Sequence, residues 1–203
     1  ILVGPNEAGK TAILQALQRL NAPEGIEGFE PLRDYPRSDY NRDIARGGVD
    51  PGNITVVEGH FALEPGDIEY IPDGFADCTY VYGRRLDNTS WHRIEGAPSV
   101  PTYGELSKGI GRLCAHVDSR KPSDSTLPSS GLGDITKGWK DLTQMTSERA
   151  AKLKAWLESV LPLVDEANPA EEERYDQLLA ACNAAEKRAE ALRSLKERLP
   201  MFV

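Results

Sequence analysis

Hydrophobic positions fall into blocks of different period along the chain. Ile1-Leu2-Val3 is a short apolar run stopped by Gly4, the pattern of a buried strand meeting a tight loop. After Lys10, the residues Ile13, Leu14, Leu17 and Leu20 recur at helical spacing. They predict a helix over 10–20 with one apolar face, ended by Asn21-Ala22-Pro23. Residues 21–53 are rich in Gly, Pro, Asp and Arg and read as a long loop around Tyr35-Pro36-Arg37. Partial alternation over 54–64 predicts a strand. Cys78–Arg84 and Thr89–Glu95 predict two more, which the turn Leu86-Asp87-Asn88 joins into an antiparallel hairpin. Residues 96–137 carry many Gly, Pro and Ser and read as loop with one short helix near 103–116.

The period changes from Gly138. Trp139, Leu142, Leu153, Trp156, Leu157, Val160, Leu161 and Val164 recur at helical spacing, and Asn168-Pro169 breaks the run. Glu171, Glu172 and Glu173 then open a second helix, where acidic side chains suit the helix dipole. It carries Leu178, Leu179, Cys182, Ala185, Ala189, Leu192, Leu195 and Leu199. The pair reads as an antiparallel helical hairpin of coiled-coil type. The expected division is therefore residues 1–137, holding the strand-rich part, and 138–203, holding the hairpin.

Composition narrows this picture. The chain has 203 residues, 39% hydrophobic and 28% charged, with a net charge of -8. That size suits one domain or one domain with an excursion, and the charge gives no global basic field for nucleic acid. Three scattered cysteines, Cys78, Cys114 and Cys182, form no disulfide framework and suit a reducing cytoplasm. No apolar run approaches the roughly 20 residues of a membrane span. The chain opens without Met, and Met145 and Met201 are its only methionines, so it reads as a piece of a longer protein.

The chemistry lies in GPNEAGKT, residues 4–11. It satisfies G-x-x-x-x-G-K-[ST], with an apolar strand expected before it and an amphipathic helix after it. Gly4 and Gly9 permit backbone angles that other residues resist. The loop of Gly4, Pro5, Asn6, Glu7, Ala8 and Gly9 can then turn its N–H groups inward as an anion nest. The helix behind it aims its positive end at the same place. Lys10, the candidate catalytic residue, supplies a full charge to the β- and γ-phosphates, and the Thr11 hydroxyl is placed to ligate Mg²⁺. At about 1.5–3 kcal/mol for each charged hydrogen bond, several together reach micromolar affinity.

The interior Pro5-Asn6-Glu7-Ala8 resembles the phosphate loop of ABC-type ATPases related to SMC and RecF proteins. The longer LVGPNEAGKTAILQALQRLN resembles most closely the AAA-type ATPase domain of OLD-family (overcoming lysogenisation defect) ATP-dependent endonucleases. Tyr35-Pro36-Arg37, GHFAL at 59–63 and ERLPMFV at 197–203 are similar to the same group, the last to the end of its helical insertion. Between about residue 65 and the last ten, the likeness is one of layout. The resemblance implies an α/β fold: a partial P-loop NTPase, the N-terminal part of an ABC-type lobe, with an antiparallel β-subdomain and a helical-hairpin insertion. It implies a homodimer or higher oligomer that sandwiches ATP between one subunit's phosphate loop and another's signature segment. Hydrolysis would then gate DNA binding or cleavage by a Toprim domain following Val203, in repair or phage defence. Only residues 4–11 carry over one by one. Asn6 and Glu7 suit either ordering of the loop and of the attacking water's surroundings, or a surface or capping role.

Other features are weaker. Leu161-Pro162-Leu163-Val164-Asp165-Glu166 has a Walker B outline, but its proline and the helical spacing before it favour a helix end. Leu106-Ser107-Lys108-Gly109-Ile110-Gly111 echoes an ABC signature but precedes the insertion. Cys114 with His116, and His60 with His92, lack a second pair at zinc-ligand spacing. Arg84, Arg85 and Arg93 with Tyr82, Trp91 and His92 mix cations and aromatics, as a nucleic-acid patch would, or as a solvated hairpin over packed rings would. Tyr35 and Arg37 either approach the nucleotide or shape their loop. Two rival functions stay open. One is a small-molecule P-loop kinase, for which no arginine-rich lid is evident. The other is an SMC-like structural switch in which nucleotide only controls dimerisation. A GTPase is disfavoured because no NKxD occurs.

Overall fold

The computed structural model describes residues 9–120, 128–165 and 167–202. Two compact units emerge: Ile1–Ala97 with Leu192–Val203, and Pro98–Ala191. The chain is thus not divided at 137/138. Residues 98–137 share a core with the helices that follow, because their apolar faces are buried there.

The first unit begins with α1 (Lys10–Leu20), the helix the spacing predicts. The expected loop over 21–53 contains α2 (Pro31–Asp34), α3 (Arg37–Asp43) and a 3-10 turn at Pro51–Asn53. Pro31 and Pro51 enter at first helical positions and Pro36 stands as the cap of α3, where a missing N–H costs nothing and a fixed φ helps. Three strands follow: β1 (Thr55–Ala62), β2 (Thr79–Arg85) and β3 (Ser90–Glu95), with α4 (Pro65–Ile68) after β1. They form one antiparallel sheet in the order β1-β2-β3, with Gly59 opposite Tyr82 and Tyr82 opposite His92. The fold class is mixed α/β. The strand expected at Ile1–Val3 lies outside the described residues.

Alternation sorts the sheet's two faces. Tyr80, Tyr82 and Ile94 are buried on one, with Phe61 against Tyr80 at a ring separation of 6.4 Å. On the other, Trp91 lies flat on Gly83, where an added Cβ would come within 2.4 Å of the indole. Leu20 meets the sheet at Gly59 and is fully buried, whereas Ile13 and Leu14 are 47% and 58% exposed. The apolar stripe of α1 is real, but only its last turn is covered by this sheet.

The second unit gathers α5 (Tyr103–Ser119), α6 (Pro128–Thr136), α7 (Ser147–Val160) and most of α8 (Pro169–Glu197). The helix expected near 103–116 is α5, and the stretch after it that reads as loop holds a further helix, α6. A capping box starts α5: Thr102 N–H donates to Glu105 Oε2 at 2.7 Å. The helix expected from 138 starts only at Ser147. Gly138 turns the chain at φ 83°, Thr146 caps α7 by accepting from Arg149 N–H, and Leu142 is 86% exposed. Leu113, Leu132, Leu157 and Cys182, one from each helix, share one core. Lys154 on α7 donates to Asn183 and Glu186 on α8 at 3.0 and 2.9 Å. The two helices expected over the last third of the chain are α7 and α8, and α5 and α6 pack with them in a four-helix cluster.

Candidate functional site

The phosphate-loop motif straddles the edge of what the structure describes. Gly4, Pro5, Asn6, Glu7 and Ala8 lie outside the described residues. Gly9, Lys10 and Thr11 lie inside, at the start of α1. Gly9 is the N-cap, left-handed at φ 76° and ψ 7°, a conformation that costs an L-residue with a side chain roughly 1–2 kcal/mol. Among the described residues no side chain caps the helix. The first intrahelical bond runs from Ile13 N–H to the Gly9 carbonyl at 3.1 Å. The amides of residues 10–12 precede it, so the helix supplies them no acceptor. Lys10 is half-buried and Thr11 exposed.

The Walker B outline does not form a strand. Leu161–Leu163 is a 3-10 turn entered through Pro162, and Asp165 pairs with Arg120 at 3.4 Å. Glu166 lies outside the described residues. The signature echo at 106–111 sits within uninterrupted α5, where side chains at Gly109 and Gly111 would meet open space.

The cations and aromatics of the hairpin separate. Tyr82 and His92 belong to the buried face. His92 donates to or accepts from the Tyr80 hydroxyl at 3.0 Å. Burial and, secondly, Lys196 hold its basicity below the usual imidazole range. Burial also raises the Tyr80 phenol, with a smaller push from Tyr82. Arg93 lies over Trp91 at 4.9 Å and bonds to Glu95 and Glu58 at 2.7 and 3.1 Å. Arg84 donates to the Arg19 carbonyl at the end of α1, and Arg85 to Thr89. These cations serve internal partners, so the residues do not form one basic surface. Tyr35 donates to Asp43 Oδ2 at 3.0 Å, tying the end of α2 to the end of α3; Arg37 is exposed.

A cleft of about 290 Å³ opens in the first unit between Phe61, Tyr80, Leu195 and Leu199. At its mouth Arg198 stacks on Tyr70 at 4.1 Å and donates to Asp67 and the Gly66 carbonyl.

Sequence reasoning missed one cluster. Glu171, read as a dipole charge, is fully buried. Its Oε1 takes Arg120 Nη1 and the Asp165 N–H, and its Oε2 lies 3.0 Å from His116 Nδ1. Burial pushes this carboxyl up, but the Arg120, Asp165 and His116 bonds outweigh it, and it titrates below the usual glutamate value. No periodicity signals such a site, because its members lie 51 and 55 residues apart.

Among the described residues no three of His, Cys, Asp and Glu come together as a metal site, and no helix is long and apolar enough to cross a membrane. Compared with family models, curated proteins and solved structures, the chain gives no significant match.

Proposed function

We propose that the chain is the nucleotide-binding part of an OLD-like ATPase, taking ATP with Mg²⁺ at residues 4–11. The observation that carries this reading is Gly9. It is a left-handed glycine capping the helix that Lys10 and Thr11 open. A left-handed residue is what a backbone anion nest uses, and this one stands at the second glycine of G-x-x-x-x-G-K-[ST]. Gly4 and Gly9 bend the loop, the amides through Thr11 face the phosphates, Lys10 neutralises the β- and γ-groups, and Thr11 holds Mg²⁺. The Walker B outline is a 3-10 turn rather than a strand, and its Asp165 pairs with Arg120. The chain alone therefore binds nucleotide weakly and does not turn it over. In the assembled protein, hydrolysis within a dimer acts on DNA.

The test is titration of a fluorescent ATP analogue with Mg²⁺ into the wild-type chain, Lys10→Ala and Gly9→Val. Each variant should lose at least about tenfold in affinity, the equivalent of 1.4 kcal/mol. Equal binding by wild type and Lys10→Ala would defeat the reading, and robust turnover by the chain alone would defeat its second half.

A further inference from the structure

We propose that His116 is a nucleophilic imidazole, a site where an electrophilic phosphoryl group adds to Nε2, with Glu171 as the residue that positions the ring. This proposal is independent of the phosphate loop.

The tautomer follows from the hydrogen bonds. Glu171 has no accessible surface and accepts on Oε1 from the Arg120 guanidinium and from the Asp165 N–H at 3.3 Å. A carboxyl so held is ionised and has no proton to offer. The hydrogen in the 3.0 Å contact between His116 Nδ1 and Glu171 Oε2 therefore belongs to the ring. With Nδ1 protonated, the lone pair of the neutral imidazole sits on Nε2. That atom has no hydrogen-bond partner among the described residues and is not a buried, unsatisfied one. The side chain is 38% exposed, while Nδ1 is the nitrogen turned to the buried carboxylate.

The other two histidines lack this arrangement. His60 uses Nε2 itself, 2.7 Å from Glu58, while Nδ1 lies 3.8 Å from Glu95. His92 is held through Nδ1 by a tyrosine hydroxyl, which supplies no negative charge. A ring oriented by a buried carboxylate is the arrangement that activates histidine as base, ligand or nucleophile. The balance of the step explains the role of Glu171. Nε2 contributes its electron pair to a new N–P bond, and the P–N or P–O bond of a phosphoramidate or acyl phosphate breaks. The leaving group departs with that bond's electrons as ammonia or a carboxylate. The proton on Nδ1 stays, so the product ring is a cation, and the adjacent anion stabilises it.

Potassium phosphoramidate at about pH 8, above the usual imidazole range, is the probe. Phosphorus NMR and peptide mapping of the whole chain identify the nitrogen and the residue. His116 should react first and at Nε2. Glu171→Gln should slow it about tenfold, the lower end of such outer-shell effects, while an unchanged far-ultraviolet circular dichroism spectrum reports an intact fold. Equal labelling of the three histidines, or labelling of His116 at Nδ1, would overturn the proposal. Should Glu171→Gln fail to fold, nitrogen-15 correlation spectra of the wild-type rings decide it. A proton on Nδ1 of His116 supports the assignment, and a proton on Nε2 instead overturns it.

Discussion

The carboxylate of Glu171 meets the guanidinium of Arg120 across 51 residues of sequence, where α5 ends and α8 begins. Arg120 also donates to the Leu163 carbonyl at 3.1 Å. One ion pair thereby ties together a helix C-terminus, the turn after α7 and a helix N-terminus.

This pair makes stability depend on acid. Glu171 titrates lower in the folded chain than its ordinary 4.5, so in that range the unfolded chain binds more protons. Its contribution is complete above about pH 4.5 and is lost as pH falls through the folded value. Urea unfolding of wild type and Glu171→Gln should therefore converge toward acid pH. Glu171→Ala at neutral pH should cost about 2 kcal/mol, less than a fully buried pair because Arg120 can rehydrate. Parallel pH curves would refute the assignment.

Gly83 accommodates Trp91, whose indole N–H donates to Thr55 at 3.1 Å. Gly83→Ala should destabilise by about 2 kcal/mol, as overpacking does, and shift tryptophan emission. In a Trp91→Ala background the same change should cost much less. Equal costs in the two backgrounds would show that the ring is not the obstacle.

Asn88 closes the β2–β3 turn at φ 68° and grips Phe29. It accepts from the Phe29 N–H at 2.6 Å and donates to its carbonyl at 2.9 Å. Asn88→Gly keeps the left-handed turn but loses both bonds, about 1–2 kcal/mol. Asn88→Ala adds backbone strain of roughly 1 kcal/mol more. Thermal unfolding of both variants checks the order: alanine below glycine, glycine below wild type.

The thiols of Cys114 and Cys182 are pushed up to about 11 by burial, with smaller contributions from Asp118 and Glu186 respectively. Since the thiolate is the reacting form, neither should react with a disulfide reagent in the native chain near neutral pH. Both should react on unfolding in guanidinium. Fast native labelling of either would contradict the packed four-helix core.

Local signals made several elements legible. Spacing located α1, because helix periodicity and a Gly cap are short-range properties. Alternation and the Asp87-Asn88 turn located the hairpin. Prolines concealed α2 and α3, whose four and seven residues are too short for a period to show. Leu142 looked helical from its neighbours' spacing, but the chain is bent there by Gly138 and capped at Thr146, and the side chain points to solvent. The likeness of GPNEAGKT to a phosphate loop needed only eight consecutive residues, and of these the described structure positions the last three.

By itself, the sequence determined which segments prefer helix or strand, because backbone preference and side-chain periodicity act over a few residues. Tertiary structure alone decided that Ile13 and Leu14 stay uncovered while Leu20 is buried, that α5 and α6 join α7 and α8 in one core, and that Glu171 becomes a buried anion bonded to Arg120 and His116. Those outcomes depend on which distant surfaces exclude water from one another, and a buried charge persists only where the fold delivers its partners.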